Sequence, residues 1–279
     1  MHDIIKRVLV TGASSGIGME LTKKLGQHGH HVVALARRKE KMDISFKDVP
    51  TVTPIAFDVC NISGIPGLIK EISETFGPPS ILVNNAGYSV RAAIEEVPQI
   101  EVQKMFDVNF MSALAFIQAV LPYMRNEKNG LIINVSSVVG RVAIPFNGIY
   151  SATKYALEAI SDCLRIELQP WKIKVVLVEP GPVHTEFAAA SEELSKYLLT
   201  AKNTPYEKYY IPLMGKVDKF NQKAVSASFA ADIIFKIIES ESPKARYPVH
   251  WIAYVMPFLR NFVPSRLTDY LLAKYHRIR

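Results

Sequence analysis

The chain has 279 residues, of which 49% are hydrophobic, and this is enough for one large α/β domain with a full core. Its two cysteines, Cys60 and Cys163, cannot form a disulfide framework, and neither lies in a Cys-x-x-Cys or Cys/His cluster. We therefore expect a reducing compartment and no metal site. The net charge of +7 is spread along the chain without a dense basic block until its end, so no nucleic-acid partner is expected.

The predicted elements alternate between strand and helix along most of the chain. In chain order they are a strand at 7–11, a helix through Leu25, strands at 32–36 and 52–57, a helix at 65–76, a strand at 81–83, a helix at 102–124, a strand at 131–135, a helix at 149–168, a strand at 175–178, a helix at 224–238 and a strand at 245–250. This alternation predicts a doubly wound parallel sheet of the Rossmann type. Right-handed crossovers place the carboxyl ends of its strands along one edge, where ligands bind.

The pattern becomes irregular between about residues 187 and 222, a stretch that carries Tyr206, Tyr209, Tyr210 and Pro212. A long irregular insertion in a compact domain is usually functional or mobile, so we interpret this stretch as a substrate loop. Residues 251–279 are interpreted as a C-terminal extension, and residues 1–279 as a single domain.

The amino terminus leads directly into a strand and a glycine turn, so we expect no signal peptide and a cytoplasmic location. No run of about 18 apolar residues occurs, so no membrane-spanning helix is expected. In the extension, basic residues lie among apolar ones: Arg260, Arg266, Lys274, His276, Arg277 and Arg279. This mixture fits either a solvated helix packed on the domain or a patch for a membrane surface or an acidic partner.

The first strand leads into a glycine-rich turn that opens a helix. The residues of the turn are Thr11, Gly12, Ala13, Ser14, Ser15, Gly16, Ile17 and Gly18. Glycines allow the tight turn, and they let backbone amides approach a pyrophosphate at the helix amino terminus. The turn therefore predicts a dinucleotide cofactor site.

The second strand ends in Ala36 and is followed by Arg37 and Arg38. An acidic residue near this position would hydrogen-bond the ribose 2′-hydroxyl and favour NAD. Arginine instead suits a 2′-phosphate, because its planar guanidinium binds phosphate oxygens in pairs. We therefore expect NADP(H) rather than NAD(H), with Arg37 as the better candidate of the two.

Tyr150 and Lys154 lie four residues apart, and Tyr150 follows Ser137 by thirteen residues. Positions i and i+4 share one face of a helix, so the phenol and the ammonium would stand side by side. Because a nearby cation favours the charged form of an acid, we expect Lys154 to lower the pKa of Tyr150. Such a phenol can exchange a proton with an alcohol or carbonyl oxygen. The spacing alone also fits an exposed helix face.

Together these residues resemble the short-chain dehydrogenase/reductase family, in its large one-domain group. The matching positions are the turn Thr11 to Gly18, Asp58 with Val59, the run Asn84, Asn85, Ala86 and Gly87, then Asn109, Ser137, Tyr150 and Lys154, and finally Pro180, Gly181, Pro182, Val183 and Thr185. The resemblance covers roughly residues 4 to 190 and is looser beyond Phe187, where this family selects its substrates.

The resemblance implies a catalytic set of Ser137, Tyr150, Lys154 and Asn109. Tyr150 would be the general acid in reduction and the general base in oxidation, and Ser137 would donate to the substrate oxygen. Lys154 would also bind the nicotinamide ribose, and Asn109 would link it to solvent. Other cofactor contacts are implied for Asp58 and Val59 at the adenine, for Asn85, Ala86 and Gly87, and for Pro180 to Thr185 at the nicotinamide. A helical substrate-side insertion and a homodimer or homotetramer are implied as well.

The substrate is less constrained by the sequence. Phe146, Phe187 and the segment 206–214 indicate an apolar pocket, although ordinary packing would explain them equally well. The run from Tyr150 to Leu168 is similar to steroid and retinol dehydrogenases of the family. We therefore expect a lipophilic alcohol or ketone, resembling a steroid, retinoid or fatty compound. The alternatives are a 3-oxoacyl thioester reductase, a cofactor-binding regulator without turnover, and a membrane-surface module.

Overall fold

The structure, a computed structural model, describes residues 5–278, except for the side chains of residues 216–221. The strands are β1 Arg7–Thr11, β2 His31–Ala36, β3 Val52–Ala56, β4 Ile81–Asn84, β5 Gly130–Val135, β6 Ile173–Glu179, β7 Val183–His184, β8 Val225–Ser226 and β9 Arg246–Pro248. The helices are α1 Gly16–Gln27, α2 Lys39–Phe46, α3 Ile65–Phe76, α4 Gln99–Phe106, α5 Ser112–Glu127, α6 Gly148–Glu167, α7 Glu186–Leu199, α8 Glu207–Asn221, α9 Ala227–Glu239, α10 Trp251–Phe262 and α11 Ser265–His276.

The main sheet has the strand order β3-β2-β1-β4-β5-β6-β9, and all its neighbouring pairs are parallel. The predicted α/β fold with a doubly wound sheet is therefore confirmed. The strand order reverses between β1 and β4, and such a switch point opens a crevice at the carboxyl edge. β7 and β8 form a separate parallel pair beyond that edge.

Both faces of the sheet are covered, which explains why the central strands are continuously apolar. One face packs against α1 and α9, where Leu21 and Ile234 are fully buried. The other packs against α3 and α5, where Ile69 and Phe116 are fully buried. The glycine turn after β1 and the segment after β4 are thereby held side by side at the open edge of the sheet.

The irregularity expected between residues 187 and 222 is wrong, because this stretch forms α7 and α8, in keeping with the helical substrate-side insertion that the family resemblance implies. The helical pattern of α8 is obscured by Pro212 in its interior and by tyrosines on its buried side, of which Tyr210 is fully buried. α10 also contains a proline, Pro257, and it lies in the extension for which a helix packed on the domain was one of two interpretations. In both helices the packing of the chain outweighs a local helix breaker.

The long helix predicted at 102–124 extends from Gln99 to Glu127 and contains a π turn at Asp107–Met111. Among the described residues, it is the one helix whose length and apolar composition would allow a membrane span, contrary to the expectation of none. Its apolar side chains have partners inside the protein, because Phe116, Ile117 and Val120 are fully buried against β4, β5 and α3. The core therefore accounts for its composition.

Candidate active site

A cleft of about 530 Å³ lies at the carboxyl edge of the sheet, where β1 and β4 diverge. Almost the whole predicted cofactor set lines it: Gly12, Ser14, Ser15, Gly16, Ile17, Arg37, Arg38, Asp58, Val59, Asn85, Ala86, Gly87, Tyr150, Lys154, Pro180, Gly181, Val183 and Thr185. Ser137 lines it as well. The structure thus gathers residues from most of the chain length around one cavity.

Gly18 is the predicted cofactor residue that does not line the cleft, and its role is in packing. A β-carbon at Gly18 would lie 2.5 Å from the Asn85 side-chain nitrogen and 2.5 Å from the Gly12 carbonyl oxygen. Gly18 therefore lets α1 approach the strand ends closely, which is one reason for glycine in such a turn.

The glycine turn has the geometry that a pyrophosphate needs. Gly12 has a φ of +68° and Gly16 a φ of +53°, both in the left-handed region that glycine adopts without strain. A β-carbon at Gly16 would lie 2.8 Å from the Thr185 methyl group. Because α1 begins at Gly16, its first backbone N–H groups have no partner within the helix and can bind an anion. These residues fit a dinucleotide.

Asn84 and Asn85 hold the strand ends together. The Asn85 side-chain nitrogen donates to the carbonyl oxygens of Thr11 at 3.0 Å and of Gly12 at 3.3 Å. The Asn84 amide donates to Asn134 at 2.9 Å. These bonds satisfy turn and strand groups, so both asparagines hold the shape of the cleft, and Asn85 also lines it. Asp58 is exposed at the rim, where its carboxylate accepts from the backbone N–H of Cys60 at 3.0 Å.

The two arginines after β2 are exposed at the rim, but only Arg38 has a described side-chain partner. Its guanidinium donates to the Ser14 hydroxyl at 3.2 Å and 3.1 Å and to the Glu186 carboxylate at 2.9 Å. Arg38 therefore connects the glycine turn to the first residue of α7. Lys41 also pairs with Glu186. Sequence reasoning missed Glu186, whose only signal was its position directly after Thr185.

Ser137, Tyr150 and Lys154 converge at the inner end of the cleft. The Ser137 hydroxyl donates to the Pro180 carbonyl at 3.4 Å, and Ser137 lies near enough to the Tyr150 phenol to lower its pKa. The Lys154 ammonium lies 5.8 Å from the centre of the Tyr150 ring and donates to the Val135 carbonyl at 2.8 Å. The three side chains are buried, so their charges act in a medium of low polarity.

The pKa of Tyr150 differs from the sequence prediction. Burial raises the phenol pKa to about 12, against the lowering effects of the Ser137 hydrogen bond and of the Arg91 charge. Burial likewise lowers the pKa of Lys154 to about 8, although the charge of Glu158 favours its protonated form. The expected lowering of the Tyr150 pKa by Lys154 is therefore wrong, because desolvation exceeds the local electrostatic effects.

Asn109 lies in the π turn of the long helix and is buried. Its side-chain nitrogen donates to the Tyr88 carbonyl at 2.9 Å and to the Thr153 hydroxyl at 3.1 Å, and its oxygen accepts from the Tyr88 N–H at 2.9 Å. A β-carbon built on Gly87 would lie 3.2 Å from the Asn109 oxygen and 3.8 Å from the Lys154 nitrogen. Asn109 thus stands behind Lys154 without lining the cleft. Such π turns are frequent at functional sites.

The substrate side of the cleft is only partly the predicted one. Phe187 lines it together with Ala190 and Leu194, all from α7. Phe146 and the tyrosines of α8 do not line the cleft; they pack with one another in a separate buried cluster.

Arg91, which sequence reasoning also missed, follows the Asn84–Gly87 run by four positions. Its charge lowers the pKa of Tyr150, although Arg91 does not line the cleft.

Comparison with known proteins agrees with this geometry. A family model described as short chain dehydrogenase matches residues 6–195. The chain is 31% identical to the 3-ketodihydrosphingosine reductase of Bacteroides thetaiotaomicron, over 98% of both chains. It is 30% identical to the NADPH-dependent 3-dehydrocapnine reductase of Ornithobacterium rhinotracheale, over 97% of both chains. The crystal structure of a short-chain dehydrogenase from Streptomyces avermitilis superimposes with a TM-score of 0.81 at 28% identity, over 99% of this chain and 98% of that one.

The fold, the position of the cleft and these similarities lead to one assignment. The chain belongs to the short-chain dehydrogenase/reductase family and is an oxidoreductase that acts on alcohol or carbonyl groups with a nicotinamide cofactor.

Proposed function

We propose that the chain interconverts a lipophilic ketone and its alcohol with NADP(H), and that Tyr150 transfers the proton. The observation that carries this proposal is that Ser137, Tyr150 and Lys154 line the same cleft. The other lining residues of that cleft include the apolar side chains Phe187, Ala190 and Leu194 of α7. Nicotinamide, when bound, supplies or accepts the hydride.

The protein's contribution is to hold and move one proton. With a pKa of about 12, the Tyr150 phenol keeps its proton at neutral pH and can donate it to a carbonyl oxygen. The Ser137 hydroxyl orients that oxygen and stabilises the charge that develops on it. In oxidation the same phenol must lose its proton, so the nearby charge of Arg91 favours that direction.

Lys154 and Asn109 complete the proposed site from behind. The Lys154 ammonium is fixed by the Val135 carbonyl, which leaves its other protons for a cofactor hydroxyl or for water. Asn109 fixes Tyr88 and Thr153, and through them the Asn84–Gly87 loop and α6. We infer that it positions Lys154 and connects it to solvent.

The preference for NADP(H) is supported by Arg37 and Arg38 at the rim and by the absence of an acidic residue at the end of β2. The relative from Ornithobacterium rhinotracheale is itself described as NADPH-dependent. A lipophilic substrate is supported by the apolar wall from α7 and by the relative that is a 3-ketodihydrosphingosine reductase.

The test of this function compares Tyr150→Phe with Tyr155→Phe. Both residues are on α6, but the Tyr155 hydroxyl is buried and has no hydrogen-bond partner among the described residues. We expect Tyr150→Phe to bind NADPH normally and to lose at least about two orders of magnitude in kcat. Tyr155→Phe should retain the parent rate. Near-normal turnover by Tyr150→Phe would contradict the assignment of the proton donor.

Substrate class is tested with a panel of lipophilic ketones, short polar carbonyls and 3-oxoacyl thioesters, each with NADPH and with NADH. We expect the lipophilic ketones to have the highest kcat/KM, and NADPH to be preferred. A preference for the thioesters would replace the proposed substrate by the acyl alternative. Tight NADPH binding without turnover of any compound would favour a regulatory protein.

A further inference from the structure

The last two helices carry an apolar face that points away from the protein. On α10 the exposed apolar residues repeat at the spacing of a single helix face: Trp251, Tyr254, Val255, Phe258, Leu259 and Phe262. The side of α10 that packs on the domain carries Ala253 and Pro257 instead. Phe258 is 63% exposed and Phe262 is 72% exposed. An amphipathic helix of a globular protein normally has the opposite orientation, with its large apolar side chains in the core.

Exposed apolar residues recur on α11, where Leu267, Tyr270 and Leu271 are exposed at helical spacing. We call the exposed apolar residues of α10 and α11 together the outer face. So many exposed large apolar side chains in one segment mark a site of interaction with a partner or a membrane.

The charge around the outer face favours an anionic partner. Exposed cations flank it: Arg260, Arg266, Lys274 and Arg277. Asp269 is the single acidic residue within residues 251–278. Large apolar side chains surrounded by long basic ones are typical of helices that lie in the interface of an anionic bilayer, where lysine and arginine reach the lipid headgroups.

A second copy of this chain suits the outer face less well. In a two-fold dimer the same patch would be present on both sides of the contact, so the basic residues of one copy would face those of the other. With Asp269 as the single acid of this segment, few opposite charges are available to offset that repulsion. The charge pattern therefore distinguishes a lipid surface from self-association.

α10 also contacts the wall of the candidate active site, whereas α11 contacts the separate aromatic cluster of Phe146 and α8. α10 packs against the turn Val138–Gly140, which directly follows Ser137. At its start, the side chains of His250 and Ile252 lie so close to Gly181 that a β-carbon there would be 2.7 Å and 3.1 Å from them. α11 contacts α8, and His276 packs edge-on against Phe146, four residues before Tyr150.

We propose that α10 and α11 dock the protein onto the surface of an anionic lipid bilayer, with the outer face inserted at the boundary between headgroups and acyl chains. Docking there would place the substrate side of the cleft next to the lipid phase. Only this last consequence rests on the proposed lipophilic substrate; the docking itself does not.

The test uses the full chain with NADPH and vesicles of phosphatidylcholine, either alone or mixed with phosphatidylglycerol. In sedimentation, we expect the protein to bind the mixed vesicles, to bind pure phosphatidylcholine weakly, and to be released by high salt. The tryptophan fluorescence of the chain should shift to shorter wavelength on binding, because the Trp251 indole leaves water. A parent chain that remains in the supernatant with both kinds of vesicle would overturn the proposal.

Matched double variants identify the surface. Phe258→Ser with Phe262→Ser should weaken vesicle binding at least about tenfold, since two large apolar side chains no longer enter the interface. Ile44→Ser with Ile100→Ser changes side chains of similar exposure on α2 and α4 and should leave binding unchanged. Arg266→Glu with Lys274→Glu should also abolish the preference for anionic vesicles, whereas Lys23→Glu with Lys47→Glu should not.

Two further measurements separate the remaining outcomes. Light scattering determines whether the outer face instead joins two copies. Membrane docking would be contradicted if the parent is a dimer, the variant Phe258→Ser with Phe262→Ser is a monomer, and neither protein binds vesicles. Turnover of a water-soluble ketone without vesicles should be the same in all variants. A variant that loses this turnover would be damaged as an enzyme. A parent chain without this turnover would count against the proposed function and not against docking.

Discussion

The Lys154 ammonium donates a 2.8 Å hydrogen bond to the Val135 carbonyl at the end of β5, in a fully enclosed position. Burial lowers the pKa of this lysine to about 8, so at neutral pH the folded protein carries a buried charge at a cost in free energy. Because that cost is tolerated, we interpret the ammonium as required by the site and not by the fold.

The first prediction follows from that cost. Lys154→Met removes the buried charge but leaves the Val135 carbonyl without its donor, so we expect a net gain of about 1–2 kcal/mol in the free energy of unfolding at pH 7, together with loss of turnover. Below pH 8 the lysine is protonated in both the folded and the unfolded chain, and the full cost is present. As the pH rises above 8, the folded chain releases the proton first and the cost disappears.

Denaturant unfolding of the parent and of Lys154→Met at pH 7 and near pH 10 measures this difference. The advantage of the variant should be largest at pH 7 and should decrease toward pH 10. A variant less stable than its parent at pH 7 would show that Lys154 stabilises the fold. Lys23→Met, on the exposed side of α1, is the control and should change stability at neither pH.

The second prediction concerns cofactor choice. Arg37→Ala should weaken NADPH binding at least about tenfold and NADH binding little, because only NADPH carries the 2′-phosphate that a guanidinium would bind. Titration of each cofactor by fluorescence measures both affinities. An equal loss of affinity for the two cofactors would show that Arg37 contacts the adenosine that both cofactors share, or that it stabilises the fold. Arg125→Ala, far along the chain on α5, serves as the charge-matched control.

The third prediction uses the ion pair between Arg38 and Glu186. The Arg38 guanidinium donates to the Glu186 carboxylate at 2.9 Å, so a 2′-phosphate that binds Arg38 would have to compete with that carboxylate. Glu186→Gln should therefore tighten NADPH binding severalfold and leave NADH binding unchanged. Because the pair is about half exposed, screening makes it weak and the effect modest. Weaker NADPH binding in Glu186→Gln would show that the carboxylate supports the site.

The fourth prediction concerns the pH dependence of turnover. The Arg91 charge lowers the pKa of Tyr150, so Arg91→Met should raise it further. Oxidation needs the deprotonated phenol, so the pH at which the oxidation rate rises should be higher in the variant. Reduction needs the protonated phenol, so the pH at which the reduction rate falls should also be higher. Profiles of kcat/KM in both directions test this, with Arg7→Met as a control; unchanged profiles would place Arg91 outside the electrostatics of Tyr150.

The fifth prediction concerns a buried charge cluster behind the site. The Glu179 carboxylate is fully buried and lies 3.1 Å from the Arg246 Nε and 3.6 Å from the Arg141 guanidinium. Burial raises its pKa to about 7, and the neighbouring charge of Glu158 adds to that rise. Arg246→Met would leave Glu158 and Glu179 without their main cation, so we expect a loss of about 3–5 kcal/mol in the free energy of unfolding.

A double variant distinguishes this charge effect from lost packing. Arg246→Met with Glu179→Gln removes the uncompensated charge, and it should recover much of the stability that Arg246→Met loses. Denaturant unfolding of the parent, both single variants and the double variant completes the cycle. Additive losses would show that the two side chains stabilise the protein independently.

The parallel sheet could be predicted because each strand is a short apolar run next to a recognisable turn. The segment 187–222 could not, because Pro212 and the tyrosines of α8 interrupt a periodicity that tertiary packing nevertheless enforces. Phe146 illustrates the same limit. Its aromatic ring was expected at the substrate pocket, but it packs against Tyr206, Tyr210 and His276, and its φ of +62° is unusual for a bulky residue.

By itself, the sequence determined the fold class, the family and the residues that gather at the cleft, because each is encoded in local spacing: a glycine turn after a strand, a tyrosine and a lysine one helical turn apart. Only the tertiary structure decided the protonation of those residues and the surroundings of the site. The pKa of Tyr150 depends on how completely the phenol is buried. The ion pair between Arg38 and Glu186 joins positions 148 residues apart. The direction of the apolar face of α10 depends on which side of that helix packs against the domain. Desolvation and long-range packing are properties of the folded chain, and no local pattern encodes them.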